Sequence, residues 1–321
     1  MLPFLAFIST ALANDSVAGF DAGGLVFVQN DQVAMVSEDL FLSAREVRVR
    51  YEFLNKGPQD LRLLVAFPLP DIHVEAEGDV SIPTGDPDNP FGFTTTFDGR
   101  TLPVQAHRYA FAAGVDRAAL LSSLGIPLAP HLQATREALA KLPPAQIAEL
   151  MRLGLVTTME YDAGQGWQID YVPAWTLKTT YTWEAIFPAG KPVVVEHSYQ
   201  PSVGASAGTA VLVPELAGEY RQRYCVDDSF ARAVRKAAPE AEGYSVPFME
   251  QTLGYILSTG RNWAGPIGRF HLVVDKGAPG NLVSFCGEGV AKTSPTTFEL
   301  TAKDFWPVRD LNVLILSPWG S

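Results

Sequence analysis

The sequence predicts a mainly β protein of α+β class: an antiparallel β-sandwich carrying a helical insertion, followed by a second, smaller α+β lobe. Three observations predict it. Residues 46–54 alternate strictly, with Val47, Val49, Tyr51 and Phe53 on one face and Glu46, Arg48, Arg50 and Glu52 on the other, which is the period of a half-buried strand. The chain's 27 glycines and 24 prolines supply the turns that many short strands require. Between Asp116 and Gly154 the apolar spacing changes to a helical period, then returns to alternation.

Taken in order, residues 25–28 and 33–42 read as strands ahead of the 46–54 segment. Asn55-Lys56-Gly57-Pro58 reads as a turn, and Leu61, Leu63, Val65 and Phe67 resume the apolar face. The two segments are therefore expected to pair as a hairpin that closes at Pro68-Leu69-Pro70. Gly85-Asp86-Pro87-Asp88-Asn89-Pro90 reads as a loop, and Asp98-Gly99 as a turn. Asp116 is placed to cap a helix ending at Gly125, a second helix spans about 130–142, and a third opens at Pro143-Pro144 and stops at Gly154.

Strands resume at 167–171 and in the run where Trp175, Leu177, Thr179, Tyr181, Trp183, Ala185 and Phe187 share a face. Pro188-Ala189-Gly190 turns the chain into Val193-Val194-Val195, and residues 204–208 are small and polar enough to read as a linker. Beyond it, Asp227 and Asp228 favour a helix start and Arg235 and Lys236 its last turn before Pro239, matching the helix dipole at both ends. Strands are expected at 249–257, 269–274, 282–285, 297–301 and 311–316. The expected organisation is thus a signal peptide at 1–13, a sandwich domain at 14–205 with its insertion at 116–154, and a C-terminal α+β lobe at 209–321.

The apolar run of the first thirteen residues ends in Ala11-Leu12-Ala13, the small-residue pattern that precedes a signal-peptidase cut. The mature chain is expected to begin at Asn14, in the periplasm or the medium. No Lys or Arg precedes the run, and a buried first strand is the alternative reading of the same residues. The run falls well short of the roughly 20 residues a bilayer crossing needs, so no transmembrane segment is expected in the mature chain. In an exported protein, two cysteines make a single Cys225–Cys286 bridge the simplest arithmetic; a catalytic thiol is the rival use of either one.

With 35 acidic against 24 basic side chains, the formal charge is −11, which repels phosphate backbones and argues against a nucleic-acid partner. No Gly-rich phosphate loop, Gly-x-Ser-x-Gly elbow, His-Glu-x-x-His or Cys-x-x-Cys occurs. His73, His107, His131, His197 and His271 are dispersed, and each reads as a surface or core histidine rather than a ligand. Asp86, Asp88 and Asn89 offer oxygen ligands at a calcium-like spacing, but Pro90 takes the next ligand's place, so a solvated turn is the reading. No metal and no cofactor are expected.

Two aromatic features carry a functional reading beside a packing one. The Trp175, Tyr181, Trp183 and Phe187 face is either a stacking platform for a sugar or lipid, or core. In Thr259-Gly260-Arg261-Asn262-Trp263-Ala264-Gly265-Pro266, the turn residues present Arg261, Asn262 and Trp263 as a candidate recognition loop, against the packing reading in which Trp263 plugs the edge of the core.

Read together, several segments resemble the bacterial exported family called domain of unknown function 4424. They are Gly24-Leu25-Val26-Phe27, Ser37-Glu38-Asp39-Leu40, Val65-Ala66-Phe67-Pro68-Leu69-Pro70-Asp71, Phe187-Pro188 and Tyr199-Gln200-Pro201-Ser202-Val203-Gly204. With them go Asn262-Trp263-Ala264-Gly265-Pro266-Ile267, Asp275-Lys276-Gly277 and Leu282-Val283-Ser284-Phe285-Cys286. The resemblance implies an exported protein and no agreed activity or catalytic residue. A fainter likeness, in Phe67-Pro68-Leu69-Pro70 and Asp98-Gly99, links the chain to the β-sandwich beside inter-alpha-trypsin-inhibitor von Willebrand modules.

The expected function is a non-catalytic cell-envelope protein that binds another protein or an envelope component. Its rival is a hydrolase of an envelope polymer using carboxylates such as Glu38, Asp39 or Asp71, which would require two carboxyls facing one pocket.

Overall fold

The alternating segments become strands in a computed structural model that describes residues 14–21, 24–73, 79–81, 86, 89–162, 164, 166–239 and 246–319. The expected signal segment 1–13 and positions 85, 87 and 88 of the expected loop lie outside the described residues. The first strands are β1 (Ser16–Asp21), β2 (Gly24–Val28), β3 (Val33–Ser43), β4 (Val47–Asn55), β5 (Leu61–Pro68), β6 (Ile72–His73) and β7 (Asp79–Ser81). Then come β8 (Thr94–Phe97), β9 (Arg100–Thr101), β10 (Gln105–Ala112) and β11 (Val115–Asp116). Helices α1 (Ala118–Ser123), α2 (Gln133–Ala140) and α3 (Pro144–Arg152) follow, where the helical period was read. Next are β12 (Val156–Asp162), β13 (Trp167–Pro173), β14 (Thr176–Phe187), β15 (Pro192–Tyr199) and β16 (Val203–Ser206), with α4 (Ala217–Tyr224) and α5 (Asp228–Ala237). The chain closes with β17 (Phe248–Tyr255), a 3-10 turn at Ser258–Asn262, β18 (Ile267–Asp275), β19 (Leu282–Phe285), β20 (Ala291–Lys292), β21 (Thr297–Phe305) and β22 (Leu311–Pro318).

Three sheets form the body. One has the order β11-β10-β14-β5-β1-β2 with β6 beside β14, the second β20-β21-β18-β3-β4-β15-β8-β9, and the third β19-β22-β17-β16-β7; β12 and β13 make a separate ribbon. Among the described strand pairs all are antiparallel except β3 with β18, which run parallel. That ladder joins a strand before residue 205 to one after 209.

The inward residues of β4, Val47, Val49, Tyr51 and Phe53, share one core with Val65 and Phe67 of β5, with Tyr181, Trp183 and Phe187 of β14, and with Tyr255, Val313 and Ile315 of the third sheet. The expected hairpin does not form. β4 pairs with β3 and β15, whereas β5 pairs with β1 and β14, so the two strands lie in different sheets. Alternation directs both apolar faces to the same core, and that requirement is met equally well from opposite layers. Asn55 secures the arch between them: its Nδ2 donates to the Phe187 and Gln59 carbonyls at 2.9 and 2.8 Å, and its Oδ1 accepts from Gly57 N–H at 2.9 Å.

The expected linker at 204–208 is also corrected, because Val203–Ser206 is β16, hydrogen-bonded between β17 and β7. Its small residues serve close packing. A Cβ on Gly204 would stand 2.7 Å from the Thr252 hydroxyl.

Helices α1 to α3 cover Trp175 with Leu121, Leu139, Ile147 and Leu150, and the Trp175 indole donates to the Leu128 carbonyl at 2.7 Å. Asp116 sits one residue ahead of the α1 cap position, where its carboxylate accepts from Ala118 and Ala110 N–H, each at 3.0 Å. Helix α4, whose residues show little apolar periodicity, was not foreseen. Asp227 caps α5 as expected, accepting from Phe230 N–H at 2.8 Å. β22 is buried on both faces: Val313 and Ile315 enter the central core, while Leu314 and Leu316 pack with Tyr224, Val226 and Val234 beneath the helices.

Candidate functional site

The nominated loop does not present its aromatic residue to solvent. Trp263 is 1% exposed, with its ring 4.5 Å from Phe53 and 5.9 Å from Phe187 between centroids. Its Nε1 donates to the Asp15 carbonyl at 2.6 Å, and Asn262 Nδ2 donates to Ser16 Oγ at 2.8 Å. Arg261 alone of the three is exposed, and its Nε donates to the Ser258 carbonyl at 3.1 Å. Of the two readings of Trp263, the structure shows the packing one, and the loop presents Arg261 to solvent without the aromatic face. The indole is the largest apolar surface in the segment, and the loop turns it inward against the N-terminal residues of the described chain.

The Trp175, Tyr181, Trp183 and Phe187 face is likewise core. Cys225 and Cys286 bring their sulfurs to 2.13 Å with Cα atoms 5.0 Å apart, at disulfide distance. The three carboxylates do not converge. Glu38 points into the core, fully buried, while its neighbour Asp39 lies on the outer face of β3 beside Arg269 and His271. Asp71 lies just before β6 and pairs with Lys178 of β14 at 3.0 Å.

Two polar assemblies among the described residues gather titratable groups of both signs. The first is the outer face of the eight-stranded sheet, where β3, β4, β8, β15 and β18 line an open depression of about 380 Å³. The outward parity of each strand delivers the groups: Asp39 and Phe41, Arg48 and Arg50, Thr94 and Thr96, Glu196 and Ser198, and His271. Asp39 accepts from Arg269 at 2.8 Å and faces His271 Nδ1 at 3.3 Å, while the other His271 nitrogen lies 3.4 Å from Glu299. Arg50 pairs with Glu196 at 3.8 Å, and the Arg48 guanidinium lies over the Phe41 ring at 4.4 Å. Hydrogen bonds from Thr293 and His271 hold the Glu299 carboxyl below its ordinary range. These groups offer donors, acceptors and both signs of charge to a molecule laid across the strands.

The second assembly is sealed inside. Asn14 Nδ2 donates to Glu38 at 3.1 Å and to the Leu257 carbonyl at 3.4 Å, and Thr259 donates to the Asn14 carbonyl at 2.7 Å. Tyr255 donates to the other Glu38 oxygen at 3.2 Å and shares a 2.8 Å hydrogen bond with Tyr51. His197 Nε2 stands 2.9 Å from Asp15 Oδ1, ringed by Phe67, Tyr51 and Trp183. Burial pushes the Glu38 carboxyl up to about 8, against the downward pull of hydrogen bonds from Asn14 and Tyr255. Burial raises Asp15 too, with His197 opposing. It also lifts Tyr51 and Tyr255 well above the phenolic range.

The sequence reading missed the Asn14–Asp15–Glu38–His197 grouping, although parity carried half of it. Leu40 and Leu42 face inward, so Glu38 shares their side; Val193, Val195 and Tyr199 do the same for His197. Among the described residues no helix is long and apolar enough to cross a membrane.

A comparison with curated proteins finds no match. Among solved structures, a Legionella pneumophila protein described as a candidate nutrient-binding protein aligns over 96% of this chain and 70% of its own, at 13% identity and a TM-score of 0.47. The family model of the domain of unknown function DUF4424 matches residues 13–314, nearly the whole described body with both polar assemblies inside it, and the chain belongs to the DUF4424 family.

Proposed function

We propose that this chain is an exported, non-catalytic binding protein that takes a protein or cell-envelope component across the outer face of its eight-stranded sheet. One observation carries the reading: five adjacent strands gather Asp39, Arg48, Arg50, Glu196 and His271 around one open depression. Its open form and the charges of both signs along it suit an extended or flat partner, whereas small-molecule sites are enclosed. The formal charge of −11 disfavours nucleic acid. The Cys225–Cys286 pair supports an oxidising compartment, and Ala11-Leu12-Ala13 supports export.

No observation favours the hydrolase alternative. The perturbed carboxyls Glu38 and Asp15 are sealed from any substrate, and Asp39 is engaged with Arg269 and His271. The test is a photo-crosslinking residue at Thr96 in exporting cells, with a second at the exposed Trp167 of the β12–β13 ribbon as reference. The expected result is an adduct at Thr96 that Arg50→Glu suppresses. Equal labelling at both positions, or none at Thr96, would overturn the proposal.

A further inference from the structure

The sealed assembly contains two carboxyl groups and one imidazole. Asp15 and Glu38 are both fully buried and close enough to repel one another. Of their acceptor atoms, Asp15 Oδ2 has no hydrogen-bond partner among the described residues, and neither does the buried Asn14 Oδ1. Unsatisfied buried acceptors of this kind are costly, and more so when charged, so a fold that keeps them requires a compensating donor. Asn14 itself is 0% exposed and wedged between Glu38, Thr259 and Gly260, where a Cβ on the glycine would reach within 2.9 Å of Asn14 Nδ2.

We propose that cleavage of the Ala13–Asn14 bond completes this core: the α-ammonium it leaves on Asn14 becomes the buried cation for Asp15 and Glu38. The inference rests on the export reading, which places the cut there. Hydrolysis adds water across the amide, the hydroxyl going to the Ala13 carbonyl carbon and the hydrogen to the Asn14 nitrogen. The Ala13 acid then loses a proton and the new amine gains one. Before the cut, that nitrogen offers one neutral N–H; afterwards it offers three donors and a positive charge. The change is made on the residue whose side chain already touches Glu38 and whose neighbour is Asp15.

The chemistry of the donor set agrees. His197 reaches only one Asp15 oxygen, and Tyr255 and Asn14 bring neutral donors to Glu38. Burial displaces both carboxyls upward in the uncut chain, the direction that a nearby positive charge opposes. An ammonium beside them draws both back toward the ionised form, and removing one member of such a buried set is strongly destabilising.

The test compares the chain starting at Asn14, released from a fusion by a protease that leaves no extra residue, with the same chain carrying one glycine ahead of Asn14. Both are made with and without Glu38→Gln. The expected result is a melting temperature several degrees lower for the glycine-extended chain, with most of that difference absent in the Glu38→Gln pair. Acylation of the Asn14 amine should be at least about tenfold slower in the folded chain than in urea, because labelling must await local opening. This second reading decides alone if Glu38→Gln does not fold. Equal melting temperatures, an undiminished difference in the Glu38→Gln pair, or labelling at the unfolded rate would overturn the proposal. N-terminal sequencing of the exported protein separates the two ideas: a start other than Asn14 overturns the export reading, whereas an Asn14 start with no charge effect overturns this one.

Discussion

The Trp263 indole donates a 2.6 Å hydrogen bond to the main-chain carbonyl of Asp15 across 248 residues of sequence. The same ring packs against Phe53 and Phe187, from the two facing sheets. Trp263→Ala removes both, and is expected to cost about 3–5 kcal/mol, as truncations of buried large aromatics do. Trp263→Phe keeps much of the packing but leaves the carbonyl unpaired, for about 1–3 kcal/mol. Urea unfolding of the two variants checks the order.

The Cys225–Cys286 bridge spans 61 residues. On the chain-entropy account its removal costs about 4 kcal/mol. Cys225→Ser with Cys286→Ser should therefore lower the denaturation midpoint, and intact mass of the native protein after alkylation should show no free thiol. Two alkylated cysteines in the native protein would contradict the bridge.

Stability should depend on pH through Glu38 in a chain still joined to residue 13. Its folded carboxyl is pushed up to about 8 while the unfolded one titrates near 4.5, so the folded state holds the proton over that interval. Stability is then full at and below about pH 4.5, declines as pH rises toward about 8, and levels off above it. Asp15, also raised, tilts the same way. Glu38→Gln should flatten the decline, read from urea midpoints across that range.

A methyl group on Gly268 would stand 2.6 Å from the Val36 main-chain oxygen, at the bulge where the β3 register shifts between Met35 and Ser37. Because the obstacle is backbone, it yields only by moving a strand. Gly268→Ala is expected to destabilise by about 1–3 kcal/mol, with amide exchange rising first in β3 and β18.

Most strands were legible because their alternation survives burial, and β4 is the clear case. Alternation names a face, however, not a partner. The 46–54 and 61–67 segments therefore read as a hairpin although they belong to opposing layers. Residues 204–206 read as linker because a strand of small residues carries no apolar signature, even where close approach to Thr252 is what the small residues permit. Trp263 carried two readings for a different reason: polar and turn neighbours describe the loop's exposed side and conceal the side chain that faces inward. The internal acids were overlooked because composition treats carboxyl groups as surface, while the parity of Leu40 and Leu42 already placed Glu38 inside.

The parallel β3–β18 ladder ties residues 37–43 to residues 269–275. A chain delivered N-terminus first, through a ribosome or a translocation pore, therefore emerges with the β3 edge open until more than two hundred further residues have followed. Such a long-range closure makes for slow folding, and an open strand edge invites pairing with other chains. This architecture ends its own vulnerable interval only when the last third of the polypeptide arrives, so its yield in any host is governed by what shields that edge in the meantime.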